Sequence, residues 1–283
     1  MHATTTDTTT ARSIVWQGKG IATSDGAGVK LTRVIGTQRL PDLDPFLMLD
    51  EFGSDDPGAY IGGFPSHPHR GFETVTYMLA GRMRHRDSRG NEGLLEPGSV
   101  QWMTAASGLI HSEMPEQEAG LMRGFQLWVN LPAADKMGTP QYQDIAPDRL
   151  PVVTVPGGTV KVLAGSFDGV SSPVATGATQ PLYLDIGLGA GATLEVPLGF
   201  GDTAFVYAYE GSVAVGGTML GESEIGILSP GTTVRIEAAV AARLLLVAGK
   251  PLNEPVAKYG PFVMNTPAEI ETAFADYRAG RMG

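Results

Sequence analysis

The sequence predicts an all-β fold arranged as two related halves, with one short helix at the C-terminus. Three observations carry this expectation. Short runs such as FETVTYML (72–79) and TAFVYAY (203–209) are rich in β-branched and aromatic residues and end near glycine. Glycine (38) and proline (20) punctuate the 283 residues often enough to separate many short strands. The chain also echoes itself: LLEPGSV (94–100) resembles ILSPGTTV (227–234), and Gly81 and Gly211 each close an aromatic-rich run.

Taken in order, residues 1–12 are Thr-rich and polar and are expected to form a mobile tail. A first barrel is expected over 13–140, with SRGNEG (88–93) as a hairpin loop. The segment 131–151 carries four prolines and little periodicity, so the boundary is placed there and the second barrel over 141–283. Thr266-Pro267-Ala268-Glu269 has the form of a capping box with proline at the first helical position. It opens a helix expected over 266–279, with Ile270, Phe274 and Tyr277 as its apolar stripe and Gly280 as its stop.

Bulk composition narrows the function. With 42% hydrophobic and 18% charged residues, the chain can bury a core. A net charge of −10 opposes direct nucleic-acid binding, which needs clustered Lys and Arg. No stretch approaches the roughly 20 apolar residues of a membrane helix, and the start lacks a signal-peptide core, so a cytoplasmic protein without membrane contact is expected. The absence of cysteine removes disulfides, thiolate ligands and a cysteine nucleophile. Gly-rich stretches such as GLGAGA (187–192) lack the context of a phosphate loop and read as turns.

The chemistry concentrates in three of the five histidines. His67 and His69 are two residues apart, and His111 and Glu113 repeat that spacing about 40 residues later. In a strand, positions i and i+2 share a face, so each pair points one way; the same parity is counted for Glu73. Two such strands side by side would converge imidazoles and a carboxylate on one point, a set suited to Fe, Mn, Ni, Cu or Zn. Anchoring the halves on Gly81 and Gly211 sets His67 against Pro197 and His69 against Gly199; anchoring on Pro97 and Pro230 sets His111 against Leu244 and Glu113 against Leu246. The second half contains no histidine.

These residues resemble the cupin pattern, read here as His67-x-His69-x3-Glu73-x7-Gly81 and Gly108-x2-His111, with Ala106 in place of a proline. The longer segments HPHRGFETVTYMLAGRMRHRDSRGNEGLLEPGSVQWMTAASGLIHSEMP, GFQLWVNLP (124–132) and YGPFVMNTPAEIETAFADY (259–277) resemble the pirin family. That resemblance implies two cupin-type β-barrels in one chain (a bicupin), the N-terminal one holding a mononuclear iron on His67, His69, His111 and Glu113, the C-terminal one free of metal. Other divalent first-row metals fit the same ligands. It implies that Glu73 is not a ligand. It further implies a quercetinase-like activity on flavonols with O2, in which Glu113 is the candidate catalytic base, and alternatively a regulatory role in which iron redox state alters binding to a protein partner. A sugar-phosphate isomerase is a weaker third reading, since no basic cluster faces the motif.

Several other residues keep two readings each. His85 faces the site or makes a structural hydrogen bond. Arg82, Arg84, Arg86 and Arg89 form a docking patch or an exposed hairpin. Trp102, Met103, Phe125 and Trp128 line a metal cavity or fill the core. Gln126 hydrogen-bonds a ligand or substrate.

Overall fold

The computed structural model describes residues 10–282. Residues 1–9 of the expected tail lie outside them. Strand β1 (Ile14–Lys19) is followed by β2 (Ile21–Asp25), β3 (Val29–Ile35), β4 (Phe46–Ser54), β5 (Phe64–His69), β6 (Phe72–Ala80) and β7 (Met83–Asp87). Then come β8 (Glu92–Leu95), β9 (Val100–Thr104), β10 (Leu109–Pro115), β11 (Met122–Asn130) and β12 (Gln141–Ile145). The later chain forms β13 (Val152–Val155), β14 (Gly158–Ala164), β15 (Ser166–Phe167), β16 (Val170–Ser171), β17 (Leu182–Leu188), β18 (Ala192–Pro197) and β19 (Thr203–Glu210). It ends with β20 (Val213–Val215), β21 (Thr218–Leu220), β22 (Glu224–Leu228), β23 (Thr233–Ala238), β24 (Ala242–Gly249), β25 (Ala257–Tyr259), β26 (Phe262–Met264) and helix α1 (Pro267–Arg278).

Two units result, each a seven-stranded sheet facing a four-stranded one. The first has the orders β12-β9-β6-β11-β4-β3-β2 and β5-β10-β7-β8; the second has β1-β22-β19-β24-β17-β14-β13 and β18-β23-β20-β21. Strand for strand the two orders correspond, so the all-β fold of two cupin-type barrels with one C-terminal helix is present. The second barrel is filled by aliphatic side chains such as Val160, Leu184, Ile186, Val206, Leu244 and Leu246.

The correspondence corrects one alignment. β5 matches β18, as the Gly81–Gly211 anchor implies, but β10 matches β23, not β24. Leu244 and Leu246 lie on β24, the counterpart of β11. Pro97 lies between β8 and β9, whereas Pro230 lies between β22 and β23, the counterparts of β9 and β10, so an alignment anchored on these two prolines is out of step by one strand.

The unit borders also differ from a cut at 140. Among the described residues, the first unit comprises 20–150, 173–180 and 251–282; the second comprises 10–19, 151–172 and 181–250. The proline-rich segment at 131–151 contains β12, whose Gln143 and Asp144 pair with Trp102 and Gln101 of β9. Residues 10–12 are not a free tail: Ala11 bridges Thr233, and buried Arg12 donates through Nε and Nη1 to the carbonyls of Gly231 and Asp202, both at 2.9 Å. Strand β1 then pairs with β22.

The C-terminal helix belongs to the first unit, not the second as expected. Its capping box is present, with Thr266 accepting from the Glu269 amide and Glu269 accepting from the Thr266 amide. Ile270 and Ala273 are buried with Phe262, Met264 and Met282, while Tyr277 is exposed, so the apolar stripe is rotated from the expected one. Asp276 reaches the buried Arg70 at 2.8 Å. Between Arg70 and β6, Gly71 has φ +89°, and a Cβ there would lie 1.9 Å from the Val263 carbonyl, so only glycine lets β26 approach.

Candidate metal centre

Strands β5 and β10 are antiparallel neighbours with His67 directly opposite His111 and His69 opposite Leu109. Cross-strand partners share a face, which puts all three imidazoles on one side of the small sheet. Their ring centroids are 4.7 Å (His67–His69), 4.4 Å (His67–His111) and 5.0 Å (His69–His111) apart. One nitrogen from each lies within 4.8 Å of the others. His69 and His111 are buried and His67 is half-buried.

The hydrogen bonds set the tautomers. His67 Nδ1 lies 2.8 Å from the Pro65 carbonyl oxygen and His69 Nδ1 lies 3.3 Å from that of Pro261. A carbonyl only accepts, so each Nδ1 carries a proton and each Nε2 is turned toward the other ring. These two Nε2 atoms are 3.0 Å apart. Two ring nitrogens that close can share a proton or a metal ion. His111 is buried with neither ring nitrogen hydrogen-bonded. Burial pushes the His69 pKa down to about 3, with His67 adding to the shift, and holds His111 well below the ordinary range. Converging ring nitrogens, with His69 and His111 held neutral by burial, are what a metal-binding trio requires, so these residues fit a divalent first-row ion.

Glu113 takes a separate position. The β5–β10 register shifts between His111 and Glu113, and Glu113 is fully buried opposite His85 of β7. Such a bulge re-aims the side chain beyond it. Its carboxylate accepts from Gln126 Nε2 at 3.2 and 3.1 Å and from Thr76 Oγ1 at 3.1 Å, and it is not among the atoms that converge within 4.8 Å.

A cavity of about 780 Å³ opens beside the cluster, lined by His67, His69, Glu113, Gln126 and Trp128, with Phe52 and Phe64 among its apolar walls. Tyr259, Gly260 and Pro261 complete it from the C-terminal hairpin. Its volume lies in the range of about 300–1,000 Å³ common for small-molecule sites.

Glu73 does not share the face of the histidines. Thr76 and Thr74 pair with the cavity residues Gln126 and Trp128, so Glu73, one residue away, points to the opposite side of β6, where it accepts from Thr104 at 2.7 Å. Parity counted from His69 fails because the Arg70–Gly71 turn separates the strands. Trp128 lines the cavity; Trp102, Met103 and Phe125 do not. His85 is buried against Tyr142 and bonds Asp144 at 3.1 Å. Arg84 and Arg86 pair with Glu92, and Arg84 also with Glu116, which suits an exposed hairpin.

Sequence reasoning missed Thr76, Asp50, Arg33 and the hairpin Lys258–Pro261. The acid that follows the apolar run FLML within one strand was the available signal for Asp50. Pro261 is 192 residues from His69 and carried no signal.

No helix among the described residues is long and apolar enough to cross a membrane. Residues 28–129 match the family model described as Pirin, and residues 183–283 match the Pirin C-terminal cupin domain. A pirin-like protein of Caulobacter vibrioides is 52% identical over 265 residues, covering 93% of this chain and 96% of that protein. Pirin of Homo sapiens is 43% identical over 267 residues, covering 92% and 90%. The crystal structure of a quercetin 2,3-dioxygenase from Acinetobacter baumannii superposes with a TM-score of 0.91 at 34% identity, covering 97% of this chain and 99% of that one. With matching models over both barrels and relatives alike along nearly the whole length, the chain belongs to the pirin family.

Proposed function

We propose that this chain is a mononuclear metal-dependent dioxygenase, with iron as its working metal, that cleaves quercetin-type flavonols with O2. One observation carries the reading: three histidine nitrogens converge at the wall of a largely apolar cavity, beside a buried carboxylate that is not itself in the cluster. The similarity to a protein crystallised as a quercetin 2,3-dioxygenase supports it.

His67, His69 and His111 would hold the ion through their inward nitrogens, and Glu113 is proposed as the fourth ligand when it swings toward them. Bound there, the metal supplies a Lewis acid that acidifies a flavonol hydroxyl and a centre for oxygen chemistry. The remaining work falls to the chain. Glu113 takes the hydroxyl proton on its carboxylate, since it is the acid group lining the cavity beside the histidines. Gln126 and Thr76 hold that carboxylate ready. Trp128, Phe52 and Phe64 flank planar rings and keep water from the reacting carbon atoms. The Pro65 and Pro261 carbonyls keep His67 and His69 oriented as ligands.

The test is O2 uptake and flavonol bleaching by protein purified without added ions and then loaded with Fe(II). Glu113→Ala should retain its fold and lose turnover. Normal turnover by a folded, iron-loaded Glu113→Ala would remove the base assignment, and no O2 uptake by the iron-loaded wild type would remove the activity itself.

A further inference from the structure

A row of polar side chains crosses the large sheet of the first unit in perfect register. Arg33 of β3 faces Asp50 of β4, Asp50 faces Gln126 of β11, Gln126 faces Thr76 of β6, Thr76 faces Gln101 of β9, and Gln101 faces Asp144 of β12. Asp50, Thr76 and Gln101 are buried. Buried polar groups in a barrel cost stability unless partnered, so such a row calls for a reason.

Four of these six residues are already explained. Thr76 and Gln126 hold Glu113, and Gln101 with His85 holds Asp144. The remaining two, Asp50 and Arg33, touch no part of the histidine cluster yet line the same cavity. Strands lie about 4.8 Å apart, which puts Asp50 one spacing and Arg33 two spacings from Gln126 along the cavity wall.

The pair is built as a rigid recognition element. Arg33 donates from Nε and Nη2 to the two oxygens of Asp50, at 2.9 and 2.7 Å, and from Nη2 to Asp25 at 2.9 Å. Two carboxylates fix the guanidinium, and its Nη1 has no protein acceptor among the described residues. Each Asp50 oxygen takes one bond from Arg33 and keeps a second acceptor site. Next to the apolar Leu31, Met48 and Phe52, the cavity therefore offers one fixed acceptor and one fixed donor, away from the metal ligands.

We propose that Asp50 and Arg33 recognise the hydroxyl groups on the second ring of the substrate, and so select ring-hydroxylated flavonols over the bare 3-hydroxyflavone scaffold. The inference rests on the flavonol reading above. One phenolic O–H donates to Asp50, while a neighbouring phenolic oxygen accepts from Arg33. A site that hydrogen-bonds a substrate hydroxyl rejects the analogue lacking it, because its own buried polar groups are then left unpaired.

The experiment is an anaerobic equilibrium titration of the purified protein with quercetin and with 3-hydroxyflavone, which keeps the chelating end and lacks the ring hydroxyls. Wild type should bind quercetin at least tenfold more tightly. In Asp50→Asn that ratio should fall below threefold. Should this variant misfold, the double variant Arg33→Met with Asp50→Leu removes both charges together and is the better-tolerated change. A wild-type ratio below threefold, or a tenfold ratio kept in either folded variant, overturns the assignment while leaving the flavonol reading intact. Failure of wild type to bind either compound removes the flavonol reading and this inference with it.

Discussion

Gln126 donates to both oxygens of Glu113, at 3.2 and 3.1 Å, from the strand that faces the one carrying His111. The amide acts as a cradle: it holds a carboxylate beside three histidine nitrogens without letting it drift into the apolar cavity. Replacing Gln126 by Leu should lower flavonol turnover by about 10- to 100-fold, the usual effect of losing a partner that orients a metal-site group. Gln126→Glu, which sets a second carboxylate against the first, should do at least as much damage. Steady-state kinetics on iron-loaded protein, with circular dichroism as the fold control, decides it.

Metal loading should be visible in stability. Chelation followed by Fe(II) at a hundredfold excess over Kd should stabilise the folded protein by about 2.7 kcal/mol. In His111→Ala, which loses one of the three converging nitrogens, that gain should vanish. Thermal denaturation with and without Fe(II) reads this directly, and an equal gain in the variant would show that the ion sits elsewhere.

The metal-free protein should lose stability in acid for an identifiable reason. His69 is neutral in the fold down to about pH 3, because it is buried, while an unfolded histidine takes a proton near its ordinary value of about 6.5. Between those values the unfolded chain binds the extra proton, so stability falls as pH drops from about 6.5 toward 3. Urea unfolding of the chelated protein at several pH values should show this slope. His69→Gln should flatten part of it.

Lys136 is buried and its ammonium donates to the carbonyls of Gly71 and Val263 and to Asn130 Oδ1, at 2.6, 3.1 and 2.6 Å. Three acceptors for three donors tie the turn after His69 to the C-terminal hairpin that supplies Pro261. Burial lowers the Lys136 pKa to about 8, but the complete set of acceptors argues that the charged form is present at neutral pH. Lys136→Met should cost about 3 kcal/mol, the loss expected for hydrogen bonds to a charged donor. Urea denaturation measures the cost. It should also loosen the cavity wall, seen as faster amide exchange at Val263.

Much of the fold and of the site was legible in residues close together in sequence. His67 and His69 share a face because a strand alternates, and the capping box at Thr266 and Glu269 announces its helix through purely local hydrogen bonds. Glu73 shows where that reasoning stops. A single glycine with positive φ at position 71 resets the count of faces, and an argument from spacing passes through the turn without noticing.

The sequence by itself determined the β-rich halves, the identity of the three histidines and the absence of their counterparts later in the chain, because each rests on composition or on neighbours within a few residues. Tertiary structure alone decided which strand lies beside which. It placed β1 with the second barrel and the last hairpin and helix with the first, brought Pro261 to His69, and lined up Arg33, Asp50 and Gln126 on one wall. Those outcomes depend on pairing between strands far apart in the chain, where hydrogen-bond register and burial choose among partners that local pattern leaves equivalent.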